Sequence, residues 1–281
     1  MLVLTIAAGL VGLVGLPHGA ADLPLGRALF KRRSGPGWVV PFFGFYLAAA
    51  AAVLIVWQTV PQAALIIFLA LSIWHFGQED AHAHFEQPGP ADTLLFGLLP
   101  IAVPSLVWTG QTAEIFQWLV QPATLRADYV AQFGSVGCGL CAVLAILRVR
   151  RMTLTALAEV SAVVLLFVAL PPLLAFAVYF AAIHSVRHAF RVHRVLMTGG
   201  HRDAWIFYTL TGLATVAVLG TAALLIARMA GDTTSVVSLG EATTIVMFQG
   251  LSALTVPHMI LIALRQRSNR DQSGSFALSA Q

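Results

Sequence analysis

Nine stretches of this 281-residue chain run almost without charge, near residues 2–17, 39–57, 62–77, 92–109, 130–147, 154–170, 172–190, 204–227 and 242–264. At a rise of about 1.5 Å per residue, each is long enough, or nearly so, to cross about 30 Å of hydrocarbon as a helix. Backbone N–H and C=O groups in lipid must be paired within a segment or in a closed barrel, and unbroken apolar runs select helices. The expected fold is all-α: a multi-pass transmembrane helical bundle of about eight to nine spans. The first and sixth stretches are short enough to allow a re-entrant piece, and Pro171-Pro172 reads as a kink or a tight turn. One transmembrane domain is expected over 1–267, with a polar, small-residue-rich, disordered tail over 268–281.

Composition excludes the alternative of a water-soluble domain. The chain is 58% hydrophobic and 10% charged, against about 25% charged in soluble domains. Its net charge of +4 does not signal nucleic-acid binding, because the sixteen Lys and Arg sit at the ends of apolar runs. Arg27, Lys31, Arg32 and Arg33 follow the first stretch, Arg148, Arg150 and Arg151 the fifth, Arg187, Arg191, Arg194 and Arg202 the seventh, and Arg265, Arg267 and Arg270 the ninth. Only Arg126 and Arg228 fall on the other side, so the positive-inside rule places the N-terminus outside and the C-terminus in the cytoplasm. The segment 78–90 is also cytoplasmic by this count, although it carries Glu79, Asp80 and Glu86 and no Lys or Arg. No basic residue precedes the first apolar stretch, which argues against a cleaved leader. Cys138 and Cys141 form a CxxC inside an apolar run and read as small packing residues rather than a redox or zinc pair.

Ionisable side chains within membrane spans are costly enough to mark function, and five of the nine histidines share one depth. His18 ends the first stretch, in Gly15-Leu16-Pro17-His18-Gly19-Ala20-Ala21-Asp22, and His75 ends the third, in Trp74-His75-Phe76-Gly77-Gln78-Glu79-Asp80. His184 and His188 close the seventh, in His184-Ser185-Val186-Arg187-His188. His258 lies about sixteen residues into a ninth stretch that descends from the opposite side. A spacing of four puts His184 and His188 one turn apart on one helix face, within reach of one metal ion. An HxxxH alone also suits an interfacial pair beside Arg187 and Arg191, and lone His18 and His75 suit carbonyl partners; convergence at one depth favours the metal.

Imidazoles without thiolates suit iron, copper or zinc, and an all-histidine shell with an open position suits Fe(II) that must bind O2. Spacing does not choose among these metals. Asp22 follows His18 by four residues and Asp80 follows His75 by five, so each is placed to accept a ligand's second N–H or to serve as a hydrated helix-end carboxylate. His82, His84, His193 and His201 fall among charged residues beyond the span ends and read as surface histidines. Trp74, Phe76, Tyr179, Phe180 and Phe190 neighbour the histidines and suit either a polyene tunnel or an interfacial aromatic belt.

Together the GLPHGAAD, WHFG, HSVRH and Pro257-His258-Met259 segments resemble the Brp/Blh family of membrane β-carotene 15,15′-dioxygenases. The four islands occur in order from residue 15 to 259, whereas residues 90–175 contribute hydropathy only. The resemblance implies oxidative cleavage of the central double bond of β-carotene by O2 at a non-haem Fe(II), giving two molecules of all-trans-retinal. Carried over motif by motif, it implies His18, His75, His184 and His188 as iron ligands; His258 matches the family's later Pro-His pattern as a supporting residue that ligates, orients or packs, beside Asp22 and Asp80 placed by their spacing. It also implies an inner-membrane enzyme that draws β-carotene from membrane lipid and hands retinal on, for instance to a rhodopsin.

Other classes fit the residues less well. A di-iron desaturase or hydroxylase needs about eight histidines including an HxxHH box, and this chain has no adjacent histidine pair. A non-catalytic retinal- or haem-carrying protein is disfavoured by the one-turn spacing of His184 and His188. The single lysine, Lys31, lies in a charged loop, where a retinal Schiff base would not form. A transporter would show charges at mid-span or broken helices in corresponding halves.

Overall fold

The computed structural model describes residues 22–120, 125–188 and 239–278, with isolated positions elsewhere. The apolar stretches near 2–17 and 204–227 lie largely outside these residues, as does His18. The described chain forms α1 (Asp22–Ser34), a 3-10 turn (Gly35–Gly37), α2 (Val39–Thr59), α3 (Pro61–Ala81), α4 (Pro90–Val107), α5 (Thr109–Val120), α6 (Ala127–Arg148), α7 (Leu154–Ala169), α8 (Pro172–Tyr179) and α9 (Leu239–Leu278). No strand occurs among the described residues, and the chain is an all-α membrane bundle. Among the described residues, five helical stretches are long and apolar enough to cross a bilayer, namely Gly35–Thr59, Pro61–Ala81, Pro90–Val107, Ala127–Arg151 and Gly240–Arg265. Leu154–Ala169 is a shorter apolar helix.

Helix starts follow local chemistry. Proline occupies the first turn of α3, α4 and α8, where no N–H is needed and φ is already helical. Asp92 accepts from the Gly89 N–H at 2.9 Å at the start of α4, and Thr153 Oγ1 caps α7 by accepting from Ala156 N at 3.2 Å. Pro171-Pro172 is a break between α7 and α8. α5 is a helix the hydropathy pattern did not reveal; it follows α4 at a turn where the Thr112 hydroxyl donates to the Pro104 carbonyl at 2.9 Å. α9 stays helical to Leu278, across most of the segment expected to be a tail.

α4 is the central helix, packed against α3, α6 and α7. Lipid offers no hydrophobic drive between helices, so close packing depends on small residues that let backbones approach. Gly77 of α3 meets Gly97 of α4 in this way: a Cβ on Gly97 would fall 1.8 Å from the Ile73 carbonyl oxygen, and one on Gly77 1.9 Å from that of Thr93. Val130, Gly134, Gly137 and Cys141 form the buried stripe of α6, with Gly137 against Ala102. Cys138 and Cys141 are both free thiols, consistent with small packing residues. By contrast α2 buries only Phe42 and Trp57 fully, with Val40, Leu47 and Ile55 exposed as on a lipid-facing surface.

Candidate functional site

Charged and polar groups are concentrated in one buried region of this apolar bundle. Asp22, His75, Glu79, Asp80, His184, Ser185, His188 and His258 are all buried. α3 supplies His75, Glu79 and Asp80 from its last two turns, α9 supplies His258, and α1 begins with Asp22. His184 and His188 come from the segment after α8, where residues Phe180–His184 form a π-helical turn. Such one-residue expansions of an α-helix recur at functional sites, and this one sets the phase at which His184 and His188 enter the bundle. Pro257, just before His258, removes one backbone N–H from α9 at the same level.

Four imidazoles meet here. The ring centres of His75 and His184 are 5.1 Å apart, those of His75 and His258 5.2 Å, and those of His188 and His258 5.3 Å. Metal–nitrogen bonds of about 2.1 Å put the ring centres of adjacent ligands on one ion about 5 Å apart. Among the described residues, no three His, Cys, Asp or Glu side chains already close around a common point, and His18 lies outside the description.

Each of three rings presents Nδ1 to a carboxylate. Asp22 Oδ1 is 2.5 Å from His258 Nδ1, Asp80 Oδ1 is 3.7 Å from His184 Nδ1, and Glu79 Oε2 is 3.8 Å from His188 Nδ1. The sequence paired Asp22 with His18 and Asp80 with His75; the observed contacts put Asp22 on His258 and Asp80 beside His184. Asp80 also accepts from the Tyr179 hydroxyl at 2.5 Å and from Arg187 at 3.2 Å. Glu79 carried no role in the sequence reading. Its spacing of one turn from His75 was the available signal.

The arginine continues outward: Arg187 pairs with Glu159 of α7, and Glu159 meets His84 Nε2 at 2.6 Å. His84 is therefore no surface histidine. The segment after α3 folds back over the bundle, stacks the His84 ring on Phe96 at 5.4 Å and leaves its side chain 8% exposed.

Aromatic rings close the other side. Phe76 lies edge-on to His184 at 4.7 Å, and Phe180 stacks on His184 at 5.7 Å. Phe176 stacks on Phe180 in turn, and Phe76 and Phe176 both line a narrow apolar crevice of about 60 Å³ between α3, α4, α5, α8 and α9. Pro100 and Pro104 of α4 contribute to its wall. Tyr179 and Phe180 are buried, whereas Trp74 and Phe190 project from the outer surface at 41% and 65% exposure.

A family profile described as beta-carotene 15,15′-dioxygenase matches residues 9–265. The beta-carotene 15,15′-dioxygenase of uncultured marine bacterium 66A03 is 29% identical over 266 residues, covering 93% of this chain and 94% of that protein. A probable beta-carotene 15,15′-dioxygenase Blh of Halobacterium salinarum is 28% identical over 201 residues, covering 63% of this chain and 58% of its own. No solved structure matches. With the family profile spanning nearly its whole length, this chain belongs to the β-carotene 15,15′-dioxygenase family.

Proposed function

We propose that this chain cleaves the central double bond of β-carotene with O2, giving two molecules of all-trans-retinal, at an Fe(II) held by His18, His75, His184 and His188. The observation that carries the reading is the apolar crevice whose wall residue Phe76 also touches His184. A polyene with no polar atom partitions into the bilayer, and a site inside the bundle admits it without passage through water. Asp22, which follows His18 by four residues in the sequence, lies in the cluster, and this supports His18 as a further ligand.

Bound ferrous iron would supply the capacity to bind and activate O2, chemistry that no side chain here provides. The chain's own residues bind, orient and exclude water. Asp80 and Glu79 face the Nδ1 atoms of His184 and His188 at 3.7 and 3.8 Å, where a small closure would let each carboxylate accept Nδ1–H and leave Nε2 for the metal. Tyr179 and Arg187 hold Asp80 in turn. Phe76 and Phe180 pack on His184, and the crevice decides which double bond comes to rest beside the cluster. Lys and Arg placement supports a cytoplasmic position for this end, and on this reading the enzyme lies in the inner membrane and releases retinal from that face to a retinal-binding partner such as a rhodopsin.

The test is expression in cells that accumulate β-carotene, with colour and retinal followed by chromatography beside the His184→Ala variant. Bleaching with retinal from the wild type alone supports the reading. Persistent colour with well-inserted wild-type protein overturns it.

A further inference from the structure

His258 is buried in the bundle, 236 residues away in sequence from the carboxylate it meets. That contact joins the first described helix to the last, and Tyr46 of α2 completes it: its hydroxyl donates to Asp22 Oδ2 at 2.9 Å, with the Leu254 carbonyl 3.3 Å away as a second acceptor sharing the proton. The Trp57 indole donates to Ser252 Oγ at 2.7 Å two turns above. Three contacts from α1 and α2 thus fix both the rotation and the height of α9 at the level of His258.

What the fixed ring faces is the cluster. Its centre stands 5.2 Å from that of His75 and 5.3 Å from that of His188. An Nδ1–H donated to Asp22 leaves the Nε2 lone pair as the ring's electron donor, the tautomer a metal ligand needs. His184 and His188 show the same arrangement, carboxylate at Nδ1, at looser distances. His258 is the member with the shortest carboxylate contact.

We propose that His258 is itself a metal ligand through Nε2, a donor beyond the four implied by the family resemblance, with Asp22 and Tyr46 as its positioning residues; this rests on the iron reading above. A residue that merely ties α9 to α1 would need no second ring beside it. The ring's placement between His75 and His188 is what such a tie leaves unexplained.

The experiment uses the full chain purified in detergent and loaded with Fe(II) without oxygen. Iron per chain, Fe(II) affinity by chelator competition, and the electron paramagnetic resonance signal of the nitric oxide adduct are read for wild type, His184→Ala, His258→Ala, Asp22→Asn and Tyr46→Phe. A lost ligand is expected to lower affinity at least about 100-fold in His258→Ala and to change the nitrosyl signal. Loss of the orienting carboxylate lowers affinity about 10- to 100-fold in Asp22→Asn, and Tyr46→Phe has a smaller effect. If His258→Ala aggregates, Asp22→Asn decides by the same two readouts. Unchanged affinity and signal in a folded His258→Ala, with iron lost from His184→Ala, overturns the ligand role and leaves the iron reading standing. A wild type that takes up no iron overturns both.

Discussion

Replacing Gly97 by alanine tests whether the crossing of α3 and α4 sets the position of the cluster. The added methyl would sit 1.8 Å from the Ile73 carbonyl oxygen and 3.1 Å from the Gly77 Cα, whereas a carbon–oxygen contact settles at about 3.3–3.6 Å. The obstacle is backbone on a facing helix, so relief requires the two helices to part locally by about 1.5 Å. Overpacking of this kind costs about 1–3 kcal/mol, and the absence of a yielding side chain puts Gly97→Ala at the upper end. That is a large share of the 5–15 kcal/mol that holds a typical fold, and corresponds to a fall in Tm of roughly 6–12 °C for a chain of this size. His75 follows Ile73 by two residues, so retinal yield falls with stability. Gly44→Ala is the control, because a Cβ there meets nothing within 4 Å; its Tm stays within about 3 °C of wild type. Thermal melting in detergent and retinal formation in β-carotene-accumulating cells are the assays. A Gly97→Ala protein that melts and cleaves like wild type would show that this crossing does not govern the site.

Three further outcomes follow from the contacts. Arg148→Ala strands the buried Asp92 carboxylate, which Arg148 reaches through both Nε and a terminal nitrogen. A loss of about 2–3 kcal/mol is expected by melting, and Arg151→Ala, outside that pair, should cost under about 0.5 kcal/mol. Phe76→Ala should cut retinal yield at least about tenfold, whereas Trp74→Ala, on the outer face, should leave it within about twofold; equal yields would remove Phe76 from the substrate wall. Trp57→Phe deletes the bond to Ser252 and should lower stability by about 1 kcal/mol, read as a Tm shift, with Ser252→Ala giving a similar loss and the double variant no additive one.

The spans were legible because hydrocarbon imposes one requirement over twenty residues, and α2, α3, α4, α6, α7 and α9 stand where the apolar runs put them. The histidine islands were legible for the complementary reason: imidazoles at the ends of such runs stand out against the lipid-compatible background. α5 escaped notice because twelve residues carrying Gln111, Glu114 and Gln117 hold no continuous apolar run, and its form depends on packing beneath α4. His84 was misread because neighbouring charges suggested water, whereas Glu159 and Phe96, 75 and 12 residues away, cover it. Which carboxylate serves which ring was likewise hidden, since the Asp22–His258 contact joins residues at opposite ends of the chain. Local spacing can nominate a partner, but only tertiary packing assigns it.

The π-helical turn at Phe180–His184 makes the length of one short segment a protected quantity. In a helix each residue advances the side-chain direction by about 100°. Deleting a single residue from the α-helical part between Pro172 and Tyr179, with the π-turn kept, would swing the following turn by that angle. Arg187 would leave Asp80 and Glu159, and His188 would turn from Glu79 and His258. In this chain the number of residues in the stretch therefore constrains the site more than their identity does.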